Sequence, residues 1–157
     1  MSVSTTAYSI DAKTLKKLKH DEDNFAFLFG DCDDDERWET ERYDFDTNIN
    51  FYVSLFRRVG LETVGTNIDS EASELGNYDA YDIWFVPTKT VKKMVVELTA
   101  MTPDELKMRA DELALSDRHG SSLSRDAVHD FIDQIPAMTK FFKKAAEQGH
   151  SLVFSEA

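Results

Sequence analysis

Carboxylates are the most abundant chemically capable groups in this 157-residue chain, and they are unevenly placed. Twelve lie between Asp21 and Asp46, opposed only by Arg37 and Arg42, so this stretch carries −10 of the formal net charge of −12. Clustered oxygen ligands raise the question of calcium. Asp31, Asp33 and Asp35 match positions 1, 3 and 5 of an EF-hand loop. Position 6, however, is Glu36 where the turn needs glycine, and position 12 is Arg42 where a bidentate Glu is needed. An arginine there opposes the ion, and the pattern fails as an EF-hand.

Other chemistries have less to start from. Cys32 sits between Asp31 and Asp33, where negative neighbours disfavour the thiolate that nucleophilic catalysis requires. His20, His119, His129 and His150 are scattered, with no pair at metal-ligand spacing. There is no G-x-S-x-G, phosphate-binding loop or dinucleotide fingerprint. Gly60 and Gly65 are too far apart and lack the helix start that phosphate binding uses. Thirty acids guarantee some carboxylate pair at hydrolytic spacing by chance, so such a pair carries no signal. The balance leans away from an enzyme, and no cofactor or metal is expected.

What remains is the field of the acidic stretch. A negative field repels nucleic-acid backbones and anionic lipid headgroups, and it recruits cationic surfaces. Asp31, Asp33, Asp34, Asp35, Glu36 and Glu39 would carry that attraction, with Trp38 as the aromatic anchor that charge alone lacks. Tyr43 shares the segment and is equally suited to pack inward as core. The competing reading is a solvated acidic loop with no partner.

The elements that must hold this stretch follow from hydropathy patterning. Ser4 to Ile10 alternates as a first strand, and Asp11 caps a short helix carrying Leu15 and Leu18. The apolar patch from Asn24 to Gly30 is ambiguous between strand and buried helix. Ile49 to Val59 forms a largely buried helix ended by Gly60. Leu61 to Tyr81 is expected to be irregular, with a short strand near Thr63. Asp82 to Val86 is a strand stopped by Pro87, and Thr88 opens a helix through Leu98. Thr102-Pro103-Asp104-Glu105 is a strong helix start. A last helix runs from Ser124 to Gln148, with a kink or break expected near Asp133 because of Pro136. Leu152 to Phe154 closes the chain as a strand.

The order Tyr81-Asp-Ile-Trp-Phe-Val-Pro-Thr-Lys-Thr-Val91, then Thr102-Pro-Asp-Glu-Leu106, then Phe141-Phe-Lys-Lys-Ala-Ala-Glu-Gln-Gly-His150 before an apolar strand resembles the YfbM-like family of bacterial proteins. The Tyr8 strand with its short helix, and Asp35-Glu-Arg-Trp38, are similar to that family's first half. The resemblance implies a compact α/β fold and transfers no catalytic residue.

These readings combine into an α/β or α+β chain, one domain over residues 1–157 with the acidic segment 21–46 inside it, whose small mixed β-sheet is packed by several helices. One cysteine, an N-terminus without signal-peptide character and no long apolar run place it in the cytoplasm with no membrane span. The expected function is non-catalytic: an immunity or inhibitor protein that neutralises a basic toxin or other macromolecule. The alternative is a small-molecule-binding protein or enzyme with a pocket between sheet and helices near Tyr78, Tyr81 and Trp84. A third reading is a nucleic-acid mimic.

Overall fold

Both ends of the chain meet in one sheet. The computed structural model describes residues 5–29, 41–45, 49–69, 74–78, 81–113, 115 and 122–156. The elements are β1 (Thr5–Ile10), α1 (Ala12–His20), a 3-10 helix (Glu22–Phe29), β2 (Arg42–Asp44), α2 (Ile49–Arg58), α3 (Glu62–Asn67), β3 (Glu74–Tyr78), β4 (Tyr81–Val86), α4 (Thr88–Thr99), α5 (Pro103–Asp111), α6 (Arg125–Glu147) and β5 (Ser151–Glu156). The five strands lie in the order β2-β1-β5-β4-β3. The combined α and β architecture is the one expected from the sequence. The sheet itself is not mixed, because every pairing among the described residues is antiparallel.

Chain routing explains that difference. β4 leaves the sheet at Pro87, and α6 returns the chain to the same end: the Thr88 hydroxyl donates to the Gly149 carbonyl at 3.0 Å. β5 must therefore run back against β4, whereas a parallel neighbour would need a crossover to the opposite end. The turn at that point is a Schellman closure of α6. Gly149 takes φ +71°, its N–H donates to Ala146, and the His150 N–H donates to Ala145.

Strand alternation divides the buried side chains between two faces. Ala7, Trp84, Val86, Leu152 and Phe154 pack beneath α2 to α6, in the larger core. Tyr8, Ile10, Ile83 and Val153 face the other way, covered by Leu15 and Leu18 of α1 and by Phe25 and Leu28 of the 3-10 helix. The ambiguous apolar patch after Asn24 is thus a 3-10 helix whose Phe25 and Leu28 cover this face. At the centre of the larger core Phe154 stacks on Trp84, with centroids 5.2 Å apart and planes 8° apart, and also meets Phe45 and Phe142.

Two local expectations are overturned by tertiary contacts. Thr63 lies in α3, not in a strand. Leu61 offers α3 no side-chain cap, but Glu97 of α4 accepts from the Val64 and Thr63 amides at 2.9 and 3.3 Å, satisfying first-turn donors from outside the segment. α3 also needs Gly65, because a Cβ there would meet Arg57 Cγ at 2.8 Å. The second correction concerns Pro136. α6 continues through it as one run of 23 residues. An interior proline costs about 3 kcal/mol. Against that, Val128, Ile132, Ile135, Met138 and Phe142 are buried on both sides of it, at about 1.5–3 kcal/mol each. Burial wins, and Pro136 lies on the exposed side of the helix.

Two stability outcomes follow. Phe154→Ala removes a ring shared by three aromatic neighbours and should cost about 3–5 kcal/mol, seen as a lowered urea midpoint with little change in slope. A loss under about 1 kcal/mol would show that the core collapses around the gap. Glu97→Ala should cost about 1 kcal/mol, with faster amide exchange at Thr63 and Val64. Unchanged exchange at those two amides would refute the cap.

Candidate functional site

Asp31, Asp33, Asp34, Asp35, Glu36, Trp38 and Glu39, together with Cys32, lie outside the described residues. Their anchors are well defined. The segment leaves from the 3-10 helix, whose Phe25 and Leu28 are buried against one sheet face. It returns at Glu41, whose carbonyl accepts from the Ser9 N–H at 2.9 Å, and enters the edge strand β2. There Asp44 lies opposite Thr6 of β1 and Arg42 opposite Tyr8. Asp21, Glu22, Asp23, Glu41 and Asp44 are all exposed. Lys144 of α6 reaches Glu41 at 2.5 Å, and Thr6 donates to Asp44 at 2.9 Å. Tyr43 takes the core reading, with its ring 5.0 Å from Phe45 and 6.0 Å from Phe141.

Of the residues expected to line a pocket near Tyr78, Tyr81 and Trp84, Tyr81 and Trp84 do not share one side of the sheet. Tyr81 and Trp84 are an odd number of positions apart on β4 and face opposite sides of the sheet. Trp84 is buried against Phe154, and its indole N–H has no hydrogen-bond partner among the described residues. The Tyr78 side chain lies outside the description.

A charged cluster does converge at the junction of α5 and α6. Arg125 grips Asp111 with two hydrogen bonds, Nε to Oδ1 at 3.1 Å and Nη2 to Oδ2 at 3.2 Å, and His129 Nε2 lies 2.8 Å from Oδ1. The hydrogen bonds from Arg125 and His129 hold the Asp111 carboxyl below its ordinary value of 3.8, and the same contact raises Arg125. A cavity of about 380 Å³ adjoins the pair, lined also by Leu115, Leu123 and Val128. Each charge opposes the dipole of its own helix, since Asp111 is the last residue of α5 and Arg125 the first of α6. They make sense as partners for each other, clamping two helices across their connection. That double mismatch with the helix dipoles is the sequence signal that would have found them.

Ser9 and His150 form a second pair, hydroxyl to Nδ1 at 2.9 Å. Ser9 is nearly buried on β1, and its backbone N–H is taken by Glu41. This contact ties β1 to the turn before β5, without a described oxyanion donor to make the serine a nucleophile. Among the described residues no group of three His, Cys, Asp or Glu side chains could hold a metal ion, and no helix is long and apolar enough to cross a membrane.

Among the described residues, an antiparallel five-stranded sheet with helices on both faces defines the class of the fold. The chain belongs to the family described as Domain of unknown function (DUF1877), whose model matches residues 1–155. Its fold is similar to that of YfbM from Escherichia coli, a protein of unknown function. The TM-score is 0.62 and the identity 14%, with 99% of each chain covered. A search of curated proteins finds no match. The resemblance drawn from the sequence motifs is therefore correct at the level of family and fold.

The clamp has a defined pH signature. Because the folded value of Asp111 is depressed, its contribution to stability is present above the ordinary value and is lost as pH falls through the lower, folded one. Asp111→Asn should therefore melt below the parent near neutral pH, with the gap closing as pH falls through the depressed Asp111 value. A gap that persists undiminished in acid would assign the effect to packing.

Proposed function

We propose that this chain is a non-catalytic acidic binding protein, an immunity or inhibitor protein of the cytoplasm that neutralises a basic toxin or another cationic macromolecule. The single observation behind it is the confinement of −10 of the −12 net charge to residues 21–46. Like charges gathered on one segment repel one another, and a cationic surface relieves that repulsion while gaining a steered approach. The exposure of Asp21, Glu22, Asp23 and Asp44 supports the reading, since these flanking acids keep their charge at the surface, whereas Glu41 is paired with Lys144. The short edge strand β2 and the buried base of the 3-10 helix give the segment two fixed ends. Asp31, Asp33, Asp34, Asp35, Glu36 and Glu39 are assigned the electrostatic contact and Trp38 the anchor.

The test reverses charge where the proposal puts it. The partner captured by the parent chain at low salt is purified, and its association rate is measured across ionic strength. Lysine at positions 33–36 should slow association by about tenfold or more and flatten its salt dependence. Capture of the same partner by the reversed chain, with equal rate and equal salt slope, removes the proposal.

A further inference from the structure

The turn from α4 to α5 and the middle of α6 border an open cleft of about 360 Å³. This lies in the range of small-molecule sites, which are mostly apolar with a few polar groups that orient the ligand. Its walls are Leu98, Met101, Pro103, Leu106, Ile135 and Pro136. Two threonines also line it, and both have turned their hydroxyls away. Thr99 donates to the Val95 carbonyl at 2.8 Å, and Thr139 to the Ile135 carbonyl at 2.9 Å. With those hydroxyls satisfied on their own helices, each threonine has its methyl left for apolar contact.

The charged residues lining the cleft are Lys140 and Lys143, both exposed. Asp133, one turn before Pro136 on α6, is engaged by Lys107 at 2.6 Å, so its charge is locally answered. A chain of net charge −12 thus presents two lysines at the rim of an apolar cleft. Pro136 fits the same picture: its ring supplies the α6 wall at a helix position where proline carries a cost of about 3 kcal/mol.

We infer that this cleft binds a small amphipathic anion, a medium-chain carboxylate whose tail lies against Met101, Pro103 and Pro136 and whose carboxylate meets Lys140 and Lys143. Apolar burial supplies the affinity, and the lysines select the charged head over a neutral one. None of the residues that line it belongs to the acidic segment, and the inference does not depend on that segment's having a partner.

Octanoate and octanol are titrated into the full chain, with amide chemical shifts as the readout. Octanoate should bind saturably and move resonances of residues 98–106 and 135–143. The pair Lys140→Glu and Lys143→Glu should weaken octanoate by about tenfold or more and leave octanol and the melting temperature unchanged. Charge reversal at residues 33–36 should leave octanoate binding as it was, which separates this inference from the proposed function. The inference is overturned by shifts centred elsewhere, by equal affinity for octanol and octanoate, by indifference to the lysine pair, or by no saturation below about 1 mM.

Discussion

The antiparallel pairing of β1 with β5 is the contact on which the other elements depend. Six residues at each end of the chain are held in register from Thr5 opposite Glu156 to Ile10 opposite Ser151. Bringing together segments separated by most of the chain has an entropic cost that grows only slowly with loop length, and the buried rows on both faces offset it. On one face the pair supplies Ala7, Leu152 and Phe154 to the larger core, and on the other Tyr8, Ile10 and Val153 to the smaller. The Ser9–His150 contact and the Schellman closure of α6 fix where β5 begins, and so fix its register.

Elements with strong local periodicity are legible in the sequence. β1, α1 with its Asp11 cap, α2, β4, α4, the Thr102 cap of α5, α6 and β5 all follow from apolar spacing and end signals. In the structure Asp11 accepts from the Thr14 amide at 2.7 Å, and Thr102 from the Glu105 amide at 3.2 Å. What escapes such a reading is set by partners distant in sequence. α3 is capped by Glu97, β2 is a strand because β1 offers it an edge, and α6 survives Pro136 because its stripe is buried from Val128 to Ala146. The opposite facing of Tyr81 and Trp84 is readable from their odd separation, which outweighs the shared chemistry that suggests one pocket.

The functional residues divide along the same line. Charge density is a property of composition and is visible without a fold, so the acidic segment stands out at once. The Asp111–Arg125–His129 cluster requires α5 and α6 to be placed end to start, which periodicity does not give. The apolar cleft is further out of reach. Met101, Pro103 and Pro136 are far apart in the sequence, and only the packing of α4, α5 and α6 brings them to one cleft.

Edge protection is a competing use for the acidic segment, and magnitude separates the two. β2 lies at the edge of the sheet among the described strands, and natural sheets guard such edges by keeping the strand short and charged. β2 does both already: it has three residues, and Arg42 and Asp44 are exposed on either side of the inward-packed Tyr43. One or two charges suffice for that purpose. The ten net charges gathered between Asp21 and Asp46 exceed it several-fold, and their mutual repulsion opposes the compact state. A chain that needed only a guarded edge would gain stability by dispersing those carboxylates over α1 and α4, where lysines stand exposed. Their concentration within residues 21–46 is therefore a cost that edge protection leaves unexplained, and it favours the proposed recruitment of a cationic surface.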